Sequence, residues 1–347
     1  MGHFLVDTCP LWVSYYFFTI MAFQQIDFSK TLTDELVYES IMENYSDLSK
    51  DWIFHQWNWM NNVYWAFNDH YKYLIVISLV EKTLQFYDQM SIQYSFDEYY
   101  SKSYLQIEKF SILELCEKLK LPKETVRRKV LELEKLGVLK RQKKQIIIDR
   151  TSFRLVKPEN QIKFTARYIS LYADILYRKK IFTKKVDAKH IENIIKKNFS
   201  LCWRWFYRMQ IPLMIGYNEM FEDPTTFHVW GTACMNQAFN YKKKLDSKSI
   251  KSITPDYMSF NKSMLNEQLG GSTGLSAMSI SDMTNIPRAT VIRKCKFLVD
   301  QQYFQLNEKK QYSLTGLNVS KILPYQSKSF RNKAKFMRKI LNLISVS

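Results

Sequence analysis

The chain is poor in the residues that staple or interrupt a fold. Its 347 residues hold five cysteines, eight glycines and eight prolines. The cysteines, Cys9, Cys116, Cys202, Cys234 and Cys295, are odd in number, far apart and never in a C-x-x-C pair. That excludes a disulfide framework and a cysteine zinc site, and fits small buried side chains in a reducing, cytoplasmic setting. Five scattered histidines offer no metal motif, so neither metal nor cofactor is expected. Scarce glycine and proline favour a mainly helical fold with few long loops. The longest apolar run, Leu11 to Phe23, covers 13 positions, too few to span a bilayer, so no membrane partner is expected. No Lys or Arg precedes Lys30, which argues against a secretory signal. Met21 offers a second start, and residues 1–20 are read as a non-native extension.

Acid is the next shortage, and it is uneven. Residues 1–100 carry a net charge of −9, residues 101–200 of +15 and the remainder of +12, for +18 in all. A composition rich in Lys, Asn, Ile and Tyr accounts for part of the total but not for its clustering. A cationic body with an acidic, aromatic head points to a polyanionic partner. Enzyme chemistry finds little support: there is no nucleotide loop, no Ser-His-Asp or Cys-His spacing, and no acidic cluster in the basic region. The run Leu269 to Gly274 holds three glycines but lacks the lysine and the strand of a phosphate loop, and reads as a hinge.

What is abundant is organised around Ser111 to Asp149. A short helix, a turn at Leu121-Pro122 and a second helix are followed by a strand-turn-strand. Val126, Val130, Leu133 and Leu136 fall at i, i+4, i+7 and i+10, one buried stripe of the second helix. Gly137 is suited to a left-handed cap. Lys140, Arg141, Lys143 and Lys144 gather at the hairpin. Leu74 to Ile77 is β-branched enough for a strand, but the periodic residues after it favour a buried helix.

The pattern recurs. Ile280 to Phe304 aligns without a gap on Leu115 to Leu139, repeating Pro122, Thr125, Val126, Arg128, Lys129 and Leu133 as Pro287, Thr290, Val291, Arg293, Lys294 and Leu298. Weaker outer matches pair Trp57-Asn-Trp-Met60 with Trp203-Arg-Trp-Phe206, helices at 34–45 and 187–198, and basic helices beginning near Ile162 and Phe330. The expected division is 21–185 and 186–347, with small β-containing units at about 105–150 and 272–316. Arg178 to Lys185 is the linker, and Lys242 to Pro255 a second loop.

PKETVRRKVLELEKLGVL and PRATVIRKCKFLV resemble the recognition helices of winged-helix bacterial regulators, of the MarR and GntR families. The flanking helices are similar in order to the MarR arrangement. The resemblance implies two tandem winged-helix units, mainly α with small β wings, related by pseudo-two-fold internal duplication. It implies a transcription regulator of double-stranded DNA, a single-chain pseudo-dimer working as monomer or homodimer. Lys123, Thr125, Arg127 and Arg128, with Arg288, Thr290 and Arg293, would reach bases or phosphates. Lys129 and Lys294 would touch phosphate, and Lys140, Arg141, Lys143, Lys144, Lys309 and Lys310 would make wing contacts. The first unit, with more charge, is expected to carry most of the affinity. The alternative is a plasmid or phage replication or partition initiator built on the same tandem units. Clustered Trp and Tyr build core first; a small-molecule effector pocket is their second use.

Overall fold

The computed structural model describes residues 31–107, 111–142, 145–152, 157–247, 254–268 and 274–346. The expectations for residues 1–20, for Lys143 and Lys144, and for most of the glycine run lie outside them. The described residues are mainly helical, with two small antiparallel sheets of three strands each.

The first half runs α1 (Asp34–Glu43), α2 (Tyr45–Phe67), α3 (His70–Gln89), α4 (Phe96–Tyr100), β1 (Tyr104–Ile107), α5 (Ile112–Leu119), α6 (Lys123–Lys135), β2 (Leu139–Gln142), β3 (Gln145–Asp149) and α7 (Glu159–Arg178). The second runs α8 (Ala188–Lys197), α9 (Phe199–Phe221), α10 (Pro224–Asp246), α11 (Tyr257–Gln268), β4 (Leu275–Ser276), α12 (Ala277–Thr284), α13 (Arg288–Asp300), β5 (Phe304–Leu306), β6 (Gln311–Leu314) and α14 (Val319–Val346). The order of elements is the same in both, and the sheets follow it as β1-β3-β2 and β4-β6-β5. Asp34 to Ala188, Tyr45 to Phe199 and His70 to Pro224 are each 154 residues apart, whereas Ile112 to Ala277 and Lys123 to Arg288 are 165 apart.

Packing crosses between the halves reciprocally. Helix α2 lies on α10 and α3 on α9, while α7 packs on α8 and α14 on α1. Each of these contacts from the first half to the second has its counterpart from the second to the first. One hydrophobic core runs continuously through both halves. The stretch Arg178 to Lys185 is therefore a tight connection between α7 and α8, with Phe182 buried in it.

Local chemistry sets the boundaries. Asp69 caps α3 by accepting from the amides of Tyr71 and Lys72, and Asp223 caps α10 by accepting from Thr226. Ser111 and Ser276 cap α5 and α12 in the same way; such caps satisfy amides that the first turn leaves free. Lys120 and Asn285 close those two helices in the left-handed region, at φ 52° and 57°. Leu74 to Ile77 are buried in the middle of α3, which is enclosed by α2, α5, α6 and α9; a helix covered on so many sides needs no polar face there.

Four expectations need correction. Leu136 is 52% exposed, because it lies about 80° round the helix from Val126 at 3.6 residues per turn; Val138 and Leu139 take its place in the core. Helix α14 begins at Val319 and runs through Pro324, well before Phe330, and α10 extends to Asp246 through what reads as loop. The Trp57–Met60 and Trp203–Phe206 motifs do not correspond: at the spacing of 154, Trp57 matches Ile211, and the two motifs are eight residues out of step.

Candidate nucleic-acid interface

Helices α6 and α13 are each held by a short preceding helix, a sheet and a long supporting helix, α3 or α10. Over all 13 positions of each helix, from Lys123 and from Arg288, their pattern of buried, half-buried and exposed residues is identical. Val126, Val130 and Leu133 face inward on α6, and Val291, Cys295 and Leu298 on α13. Lys123, Arg127 and Arg128 are exposed on α6, as are Arg288, Ile292 and Arg293 on α13; Thr125 and Thr290 are half-buried.

Lys129 and Lys294 sit differently from the free phosphate contacts the sequence suggests. Lys129 Nζ lies 2.6 Å from the Asp69 carboxylate and 3.2 Å from Glu132, and Lys294 Nζ lies 2.6 Å from Asp223. Each lysine is mostly covered and bonds to the aspartate that caps the supporting helix. Burial pulls the Lys129 ammonium down, but the Asp69 and Glu132 carboxylates outweigh it and leave the group above the ordinary lysine range. Burial likewise lifts Asp223, and the bond to Lys294 outweighs it, leaving the carboxyl below its usual range. The same clasp thus docks each exposed helix onto its support. Sequence comparison finds the lysines but not Asp69 and Asp223, since the spacing between halves changes from 154 to 165 between cap and lysine.

The two outer faces are charged unequally. On α6, Arg127 pairs with Glu124 at 3.1 Å, and Arg128 approaches Glu132 at 4.0 Å. Behind it, Arg141 bonds to Glu134, and Lys140 pairs with Asp149 at 2.9 Å. Hydrogen bonds from Thr151, then Lys140, hold the Asp149 carboxyl down to about 2. Lys123 is exposed with no such partner among the described residues. On α13, Arg288, Arg293 and Lys296 are exposed, and none has an acidic partner among the described residues. Lys309 and Lys310 are exposed on the β5–β6 turn, which closes with Asn307 N–H donating to Gln311 O at 3.0 Å.

Among the described residues, no group of three or more His, Cys, Asp or Glu could hold a metal ion, and no helix is long and apolar enough to cross a membrane. No protein-family model, curated protein or solved structure matches the chain.

Proposed function

We propose that this chain is a sequence-specific double-stranded DNA-binding transcription regulator, in which two winged-helix units, products of an internal duplication, act as a single-chain pseudo-dimer. The observation that carries it is the pairing of α6 with α13: equal burial, equal clasps to a supporting helix, and cations at the exposed start of each. A helix presented this way fits the major groove, where Arg pairs with guanine and Thr meets a thymine methyl. The strand orders β1-β3-β2 and β4-β6-β5 support the winged-helix assignment, with each hairpin as a wing. The contact set is Lys123, Thr125, Arg127 and Arg128 on one helix and Arg288, Thr290 and Arg293 on the other, with Lys309 and Lys310 on the second wing. Lys129 and Lys294 position the helices instead of touching DNA. Because Arg288, Arg293 and Lys296, the exposed cations of α13, have no acidic partner among the described residues, the second unit supplies more of the affinity, the reverse of what counting charges in the sequence suggests.

In-vitro site selection with the purified protein tests this reading. Two unlike half-sites one helical turn, roughly 10 base pairs, apart support it. No enrichment at moderate salt overturns it, and direct repeats in an origin would favour an initiator.

A further inference from the structure

The two halves differ at one place where their shared order makes comparison direct. In the second half a cavity of about 420 Å³ opens between α2, α9, α10, α11, the base of the second sheet and α14. That volume lies within the roughly 300–1,000 Å³ typical of small-molecule sites. Trp52, Trp57, Tyr217, Phe227, Trp230 and Phe330 supply flat walls, and Lys262 is the one charged side chain among the described residues around it.

In the first half a buried side chain fills the matching position, as the pairing of its sheet shows. Leu139 faces Ile148 across the first hairpin as Phe304 faces Leu314 across the second. The next amides, of Asp149 and Thr315, donate to the Val138 and Tyr303 carbonyls in turn. Arg150 therefore corresponds to Gly316. Arg150 is buried, its guanidinium 4.0 Å from the centre of the Tyr99 ring and 5.0 Å from that of Tyr100. It donates to the carbonyls of Tyr99 at 2.6 Å and Lys102 at 2.9 Å. With Phe96 and Phe199 it makes a closed aromatic block. Gly316, with no side chain, lines the open cavity instead.

Two further features lie in the lining of this cavity. Gly231 stands inside α10, where glycine costs a helix about 0.5–1 kcal/mol relative to alanine, and a Cβ there would meet nothing within 4 Å. Gln56 lines the cavity; its Oε1 is closed to solvent and has no hydrogen-bond partner, while its amide Nε2 is engaged with His55 Nδ1 at 3.3 Å, so Oε1 meets a ligand once the side chain turns. A buried acceptor is costly to leave unsatisfied.

We propose that the cavity binds a planar, uncharged aromatic molecule that stacks on these rings and donates one N–H or O–H to Gln56. Its occupancy is sensed by the second DNA-reading unit, a step that rests on the function proposed above. The ligand would touch both supports of α13: the base of its sheet, at Tyr303 and Leu314, and α10, whose cap Asp223 holds Lys294.

The test titrates indole, 2-naphthol and 2-methoxynaphthalene into the purified full-length protein, followed by tryptophan fluorescence and thermal melting. One molecule of 2-naphthol binds per chain, and its methyl ether, which lacks the donor, binds about tenfold more weakly. Gly231→Ala keeps binding. Gly231→Leu loses it without melting earlier, and Gly316→Arg, which restores the side chain of the first half, loses it as well. Failure of all three compounds to saturate overturns the proposal, as does unchanged binding in both plugged variants. With a duplex carrying the selected site, 2-naphthol shifts the apparent Kd of the native chain and not that of Gly231→Leu; binding without that shift overturns the regulatory step alone. A chain that binds 2-naphthol but no DNA refutes the DNA reading and leaves the cavity assignment standing.

Discussion

Lys333 shows how far a single residue can depart from its class. Its side chain is fully buried in α14, with Nζ 4.0 Å from the Trp52 ring centre and 4.2 Å from that of Phe330, donating to Tyr168 Oη at 3.0 Å. Burial pushes its pKa well below the ordinary 10.5. Because the unfolded chain binds this proton and the folded chain holds it less tightly, stability contributed here rises with pH up to the ordinary lysine value and falls below it. Lys333→Met, close in volume and without the amine, is therefore expected to stabilise the protein at pH 7 by about 1–4 kcal/mol. Denaturant unfolding at pH 7 and near pH 10 checks it: the gain shrinks at the higher pH. At the exposed end of the scale, Arg288→Ala with Arg293→Ala is expected to weaken DNA binding more than Arg127→Ala with Arg128→Ala. A lost base-reading arginine costs about 1–3 kcal/mol, and the pair on α6 is already engaged with Glu124 and Glu132. Equal losses in fluorescence-anisotropy titrations would refute that ordering.

Elements are joined here by small polar devices at helix ends. Asp69 and Asp223 each end a loop, start a long helix and grip the lysine of the exposed helix packed on it. Asp223→Ala removes the cap of α10 and leaves Lys294 half-buried without its carboxylate, a combined loss of about 1–3 kcal/mol; Asp69→Ala does the same for α3. Chemical denaturation measures that loss, and an unchanged midpoint in both variants would show the clasps to be incidental. Much of this layer was legible in the chain. Ser111, the 3.6-residue stripe of Val126, Val130 and Leu133, and Gly137 at φ 74° announced α5, α6 and the turn after them, and the gapless likeness of Pro287 to Leu298 announced α13. What stayed hidden depends on partners remote in sequence. The Lys–Asp clasps span a change of spacing, Arg150 and Gly316 look unrelated until strand pairing aligns them, and α14 continues through Pro324 because its apolar face packs on α1 and α9. Aromatic abundance misled in its own way, since two tryptophan-rich motifs resembled each other while standing two turns out of step.

At the scale of the whole molecule, the reciprocal packing of α2 on α10 and α3 on α9 makes the halves one body. The core is continuous through them, so neither half buries its long helices without the other. Helices α6 and α13 are fixed to α3 and α10 by the clasps, and α3 and α10 are fixed to each other's halves, so the distance between the outward helices is set by the fold and not by a linker. That rigidity separates this chain from two units on a flexible tether, for which effective concentration changes slowly with spacing. Inserting five base pairs between the selected half-sites turns the second half-site to the opposite face of the duplex. Inserting ten restores the face but adds about 34 Å of separation. A tethered pair would recover affinity with the ten-base-pair insertion, whereas a rigid pair recovers it with neither. Titrations of the three duplexes at one fixed salt concentration are expected to show both insertions reduced to the affinity of a single half-site. Recovery with ten base pairs would show that α6 and α13 move independently, against the packing that joins them.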